Sequence, residues 1–152
     1  LISGEVADVQ EALDAGRRSG DASVRDEVFL PFVHRTVVAV LEGKRQAASG
    51  ASLGIIETRT VAACIGAADA GAKGAHVTLR ELRLADGLGG KAFLLFSGDV
   101  ADVEAAVDIA CTQVPAGQLV RQTVIAALHP EMDENIESST RFGMRLRGED
   151  SW

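Results

Sequence analysis

Short apolar stretches alternate along this chain with stretches of helical spacing. SLGIIET, Ser52 to Thr58, is apolar and β-branched, which predicts a buried strand. The pattern then changes to helical spacing through Val61, Ala62, Ile65 and Ala68. VTLRELRLA, Val77 to Ala85, alternates apolar and polar residues as a half-buried strand does, and KAFLLFSG, Lys91 to Gly98, predicts a more buried one. The two are expected to pair as a hairpin. Asp99 is the expected cap of the next helix, with Asp102 three residues on and Val100, Val103, Val107 and Ala110 as its inner stripe. QTVIAAL, Gln122 to Leu128, predicts the closing strand. The order βαββαβ implies an α+β fold of ferredoxin-like type, with helices on one face of an antiparallel sheet.

Part of this pattern occurs twice. SGEVADVQEALDAG, Ser3 to Gly16, returns 94 residues later as SGDVADVEAAVDIA, Ser97 to Ala110, with eight of fourteen positions identical. One extra residue in the second copy brings FLPFVH, Phe29 to His34, over VIAALH, Val124 to His129. The first copy is thus expected to hold a helix and a strand but only the end of the strand before them. Residues 1–43 read as the closing half of a first unit, 44–51 as a polar linker, 52–133 as a complete second unit and 134–152 as a tail. A half unit on its own exposes apolar faces and open edges, so about fifty or more further residues shaped like Ser52 to Phe96 are expected upstream. In the tail, Phe142, Met144 and Leu146 alternate with charged and small residues as a marginal edge strand does, and the single tryptophan is Trp152.

Composition narrows the functional classes. With 47% apolar and 24% charged residues and no apolar run of bilayer length, the 152-residue chain reads as soluble and globular. A net charge of −7 argues against nucleic-acid or anionic-membrane partners, which attract basic proteins. Cys64 and Cys111 lie in apolar helical patterns without the spacing of a redox or zinc motif, so buried reduced thiols and a cytoplasmic setting are expected. His34, His76 and His129 are scattered, and no metal site is expected. No serine or cysteine stands in a nucleophile motif, and the carboxylates fall on caps and polar faces, so no catalytic residue is assigned.

GLGGKA, Gly87 to Ala92, fits a loose dinucleotide pattern, but that signal requires a loop opening a helix and this one opens a strand. A phosphate loop is excluded because Lys91 is followed by Ala. A hairpin loop whose glycines permit positive φ accounts for it. No cofactor is expected.

LGIIETRTVAACIGAADAGAKGAHV, Leu53 to Val77, resembles the opening of a bacterial microcompartment shell domain: a strand ending in an IET-like segment, an Ala-rich helix with a late Asp and Lys, then a strand. The likeness continues through RLADGLGGKAFLLFSGDVADVEAAVDIA, Arg83 to Ala110, and the first copy is similar to the back half of the same domain. The resemblance implies a tandem shell protein that forms a homotrimeric pseudohexamer, packs with other shell proteins in the cytoplasm and passes small-molecule metabolites through a central pore. It implies that Ala85, Asp86, Gly87, Leu88, Gly89 and Gly90 line that pore, where a ring of Asp86 carboxylates would favour cations. It implies too that Lys73 lies at the tile edge. Some tandem members hold an iron–sulfur cluster on pore cysteines, but no cysteine occurs between Ala85 and Lys91. Single-domain members often end the last strand in Pro-Arg-Pro-His, where this chain has Pro31 to His34 and Ala126 to His129. The alternative from another class is an oligomeric regulatory module of ACT or PII-like type, which shares the ferredoxin-like unit.

Overall fold

The computed structural model describes residues 1–138 apart from Arg45 and Asp86. The edge strand expected in the tail therefore lies outside the described residues. In chain order the helices are α1 (Val6–Gly20), α2 (Arg35–Leu41), α3 (Val61–Gly74), α4 (Val100–Gln113) and α5 (Pro130–Ser138). The strands are β1 (Ser52–Thr58), β2 (Thr78–Leu84), β3 (Ala92–Gly98) and β4 (Leu119–Ile125), all antiparallel in the order β2-β3-β1-β4. The expected βαββαβ unit is present, with α3 and α4 packed together on one face of the sheet.

Alternation decides that face. Gly54 and Ile56 of β1, Leu94 and Phe96 of β3 and Leu79 of β2 point to the helices, and the four with side chains are fully buried there. Removing each such side chain from water stabilises the fold by about 1.5–3 kcal/mol. The helices come close because their contact surfaces are small. On α3 the buried positions include Ala63, Ala67, Ala68, Gly71 and Ala72. A Cβ at Gly71 would stand 2.5 Å from Phe96 Cζ, and one at Gly74 would stand 2.6 Å from Ile109 Cδ1. On the sheet, a Cβ at Gly54 would meet Val107 at 2.7 Å and Val103 at 2.9 Å. The inner stripe of α4 is Val103, Ala106, Val107 and Ala110; Val100 is 40% exposed, because it sits at the first turn beyond the edge of the packing.

Phe29 to His34 is not a strand. Residues 24–30 have no regular structure and 31–32 form a turn. The segment from Asp26 to His34 runs along α3: the Thr60 hydroxyl donates to Asp26, Val28 packs against Gly66, and the His34 N–H donates to Asp69 Oδ1 at 2.6 Å. With a helix rather than a strand beside it, the backbone has no ladder to join. The helix that follows, α2, was not apparent in the pattern; it packs on β2 and α3 and buries Val37 completely. The same event recurs after β4. His34 Nδ1 accepts the Thr36 N–H at 3.4 Å at the start of α2, and His129 Nδ1 accepts the Glu131 N–H at 3.3 Å at the start of α5. The two matching histidines thus open helices rather than end strands, each satisfying a backbone donor that the first helical turn leaves unpaired. α5 crosses the 133/134 boundary and is tied to β2 by Arg80, whose almost fully buried guanidinium meets Asp133 and, at 3.7 Å, Glu137.

β4 begins three residues before the predicted Gln122, and Leu119 and Val120 are each 37% exposed. α1 carries an amphipathic pattern, yet none of its residues is buried; Arg17 pairs with Asp14 on the same helix and ties it to Glu27. The end of the segment expected to be a linker is docked on the sheet at Ser49 and Gly50. Ser49 N donates to Ser97 Oγ at 3.1 Å, Ser49 Oγ donates to Thr78 Oγ1 at 2.8 Å, and Gly50 lies at φ +71 with its missing Cβ position 2.3 Å from the Gly98 backbone.

Two outcomes are expected. Gly50→Ala sets a Cβ against backbone at a positive φ, and should lower stability by about 2–4 kcal/mol in urea unfolding. Burial raises the Cys64 thiol from 9.0 to about 12, opposed in part by a hydrogen bond with Thr58. The folded chain holds that proton where the unfolded chain has released it, so this contribution is intact below pH 9 and is lost between pH 9 and about 12. Unfolding midpoints across that range should fall more steeply for the parent than for Cys64→Ala.

Candidate functional site

The β2–β3 loop is shaped by backbone conformation. Ala85 N–H donates to the Lys91 carbonyl at 3.0 Å and closes the loop, while Leu88 N–H to Ala85 and Lys91 N–H to Leu88, at 3.0 and 3.3 Å, make two successive turns inside it. Ala85, Gly87, Gly89 and Gly90 have φ of 60, 67, 63 and 88, a region glycine enters freely and alanine at a cost of about 1–2 kcal/mol. No heavy atom lies within 4 Å of the Cβ position at any of the three glycines, so conformation rather than crowding selects glycine. Ala85 and the glycines are exposed and Leu88 is half-buried. Asp86 lies outside the described residues. At the base of the loop Lys91 Nζ meets Glu57 Oε1 at 2.6 Å, and the Arg83 guanidinium sits 5.6 Å from the Phe93 ring centre. These contacts fix the loop's direction to the end of β1 and β3.

Strand register places this loop. Thr58 pairs with Ala92 and with Leu119, so the loop shares one end of the sheet with the start of α3 and with the turn before β4. Lys73 lies on the last turn of α3, at the other end. The rise from Thr60 to Lys73 is about 20 Å at 1.5 Å per residue. The loop residues are therefore brought together, and Lys73 is held apart from them.

Around Lys73 the structure adds Asp69, a residue whose type and spacing alone point to no role. Asp69 is 4% exposed and accepts from two donors, the His34 N–H on Oδ1 and, at 2.5 Å, the Lys73 ammonium on Oδ2. The signal was a charged residue inside the apolar run Ala67, Ala68, Asp69, Gly71, Ala72. A carboxylate buried in such a run demands partners. His76 is exposed, and among the described residues no three His, Cys, Asp or Glu side chains are grouped to hold a metal. The Cys111 thiol, which contacts Gln122, is raised by burial and by the nearby Asp108 charge. No helix among the described residues is long and apolar enough to cross a membrane.

The BMC domain model matches residues 52–128. The chain belongs to the BMC-domain family. It is 36% identical over 133 residues to the bacterial microcompartment shell protein PduT of Citrobacter freundii, a match covering 87% of this chain and 72% of that protein. A crystal structure of a microcompartments protein from Desulfitobacterium hafniense DCB superposes with a TM-score of 0.76 at 38% identity, over 86% of this chain and 73% of that one. The sheet and its two covering helices are the BMC shell fold, and membership makes the chain a structural component of a microcompartment shell rather than an enzyme. The regulatory-module alternative gives way to it.

Gly89→Ala in this BMC loop should destabilise the chain by about 1 kcal/mol. Ala85→Gly should stay within about 0.5 kcal/mol of the parent, because relief of the left-handed conformation is offset by a more flexible unfolded chain. Thermal unfolding of the two variants side by side checks both.

Proposed function

We propose that the chain is a two-unit shell tile that trimerises into a pseudohexamer, with the loop from Ala85 to Gly90 around a central pore for small metabolites and Lys73 at the outer rim against other shell proteins. Residues 1–43 are the closing half of one unit, 44–51 the joint, and 52–133 the second unit, with α5 carrying on beyond it to Ser138. In the bacterial cytoplasm the tile works as part of the microcompartment shell.

The observation that carries this reading is polarity within the unit. A glycine-rich loop and a cation-bearing helix end stand at opposite poles of α3, about 20 Å apart along its axis. A tile needs that separation, since one pole must meet its symmetry copies and the other must meet neighbours. The segment ahead of the joint supports it further. Asp26 to His34 is clamped along α3 at both ends, by Thr60 and by Asp69. Its repeat partner, ending at His129, begins within β4, an edge strand whose first residues, Leu119 and Val120, are exposed and leave a surface available to the next copy. α1 gives a matching argument, because the stripe that α4 buries against β1 and β3 is uncovered in α1. A sheet and helix built like Ser52 to Phe96 would cover it.

Light scattering on the concentrated full chain should give a trimer, and electron microscopy should give hexagonal sheets or tubes. Lys73→Ala should retain the trimer and lose the sheets. A monomer that forms no ordered array at any concentration is the result that overturns the reading.

A further inference from the structure

Strand register fixes what stands on the face of the sheet turned away from α3 and α4. Opposite residues of antiparallel strands point the same way, so Arg83, Phe93, Glu57 and Arg121 form one row across β2, β3, β1 and β4. On this face Ile55 and Phe93 are half-buried while Arg121 and Thr123 are exposed, so its end towards the glycine loop is uncovered. Arg59 belongs to the same face. Its N–H donates to the Gln118 carbonyl at 2.8 Å, which carries the β1–β4 ladder one residue past Thr58, and alternation returns its side chain to the side of Glu57.

The acids on this face are already engaged. Glu57 is held by Lys91 Nζ at 2.6 Å, and Glu81 by the Arg83 guanidinium at 3.0 Å. Arg121 stands opposite Glu57, yet neither it nor Arg59 pairs with a carboxylate among the described residues. The two arginines are diagonal neighbours, with Cα atoms roughly 8 Å apart, close enough for both side chains to reach one ligand. Like charges so placed work against the sheet, and an anion between them cancels that repulsion. Arg59 is also oriented in advance: its Nε donates to the Gly117 carbonyl at 3.0 Å, which leaves its two terminal nitrogens as free donors. On a chain of net charge −7 this is a local reversal of sign.

We propose that Arg59 and Arg121 bind an oxyanion, the phosphate or carboxylate group of a small metabolite, between their guanidinium groups. Each planar fork matches two oxygens of such a group. A use for the site in gathering anions beside a central passage rests on the pore proposed above; the binding itself does not.

Inorganic phosphate titrated into the full chain at low ionic strength tests this, with the arginine Nε–H resonances followed and sodium chloride of equal ionic strength as the reference. The Arg59 and Arg121 signals should move together and saturate with one dissociation constant of about 1–10 mM. The Arg83 signal, held by Glu81, should stay in place. Arg121→Gln should weaken binding at least tenfold, and Arg83→Gln should leave it unchanged. Arg121 is exposed and without a partner among the described residues, so this variant keeps the fold and decides the matter even if Arg59→Gln does not fold. Equal movement in chloride, or unchanged affinity in Arg121→Gln, overturns the proposal. A chain that forms hexagonal sheets but binds no phosphate loses this inference and keeps the tile; a monomer that binds phosphate at these two arginines does the reverse.

Discussion

The closeness of α3 to what surrounds it governs this molecule. Gly71 lets the helix settle on the Phe96 ring, Gly74 admits Ile109 of α4, and the buried alanines leave no side chain to hold the layers apart. Interiors are packed to near-crystalline density, so such an approach leaves little room for adjustment. With α3 seated this deeply, its flank is free to receive the segment from Asp26 to His34, and its last turn sits where Asp69 and Lys73 can pair. Larger residues at Gly71 or Gly74 would lift the helix and disturb the sheet, the Asp26–His34 segment and the ion pair together.

Charge is distributed with the same economy. The two ions buried among the described residues, Asp69 and Arg80, each meet opposite charge, and each fastens a neighbouring segment to the central unit: the Asp26–His34 segment in one case and α5 in the other. Breaking such a pair leaves a charge without compensation in a low dielectric, which is the costly case. The exposed pair of Arg17 with Glu27 belongs to a different class, screened by solvent and of small weight.

The strands and long helices were legible because their periodicities differ: alternation over Val77 to Ala85, continuous apolar character over Lys91 to Gly98, and helical spacing from Val61 onward. The glycine loop was legible from its residue types, and its φ values follow. Less legible was anything decided by what lies alongside. Phe29 to His34 has strand-like residues, and only its neighbour, a helix rather than a strand, leaves it without a ladder. α2 and α5 are short and are started by histidine, which is not among the usual capping residues, so their N-termini gave no familiar signal. The pairing of Asp69 with Lys73 could be read from spacing, but its burial could not, since that depends on a segment some thirty-five residues away reaching across the helix.

The segment lying along α3 is covalently continuous with the domain that holds it. Two separate chains making that contact would lose translational and rotational freedom on meeting and would part on dilution. Here the intervening chain, docked at Ser49 and Gly50, keeps the strap beside its helix at an effective concentration that dilution of the protein leaves unchanged.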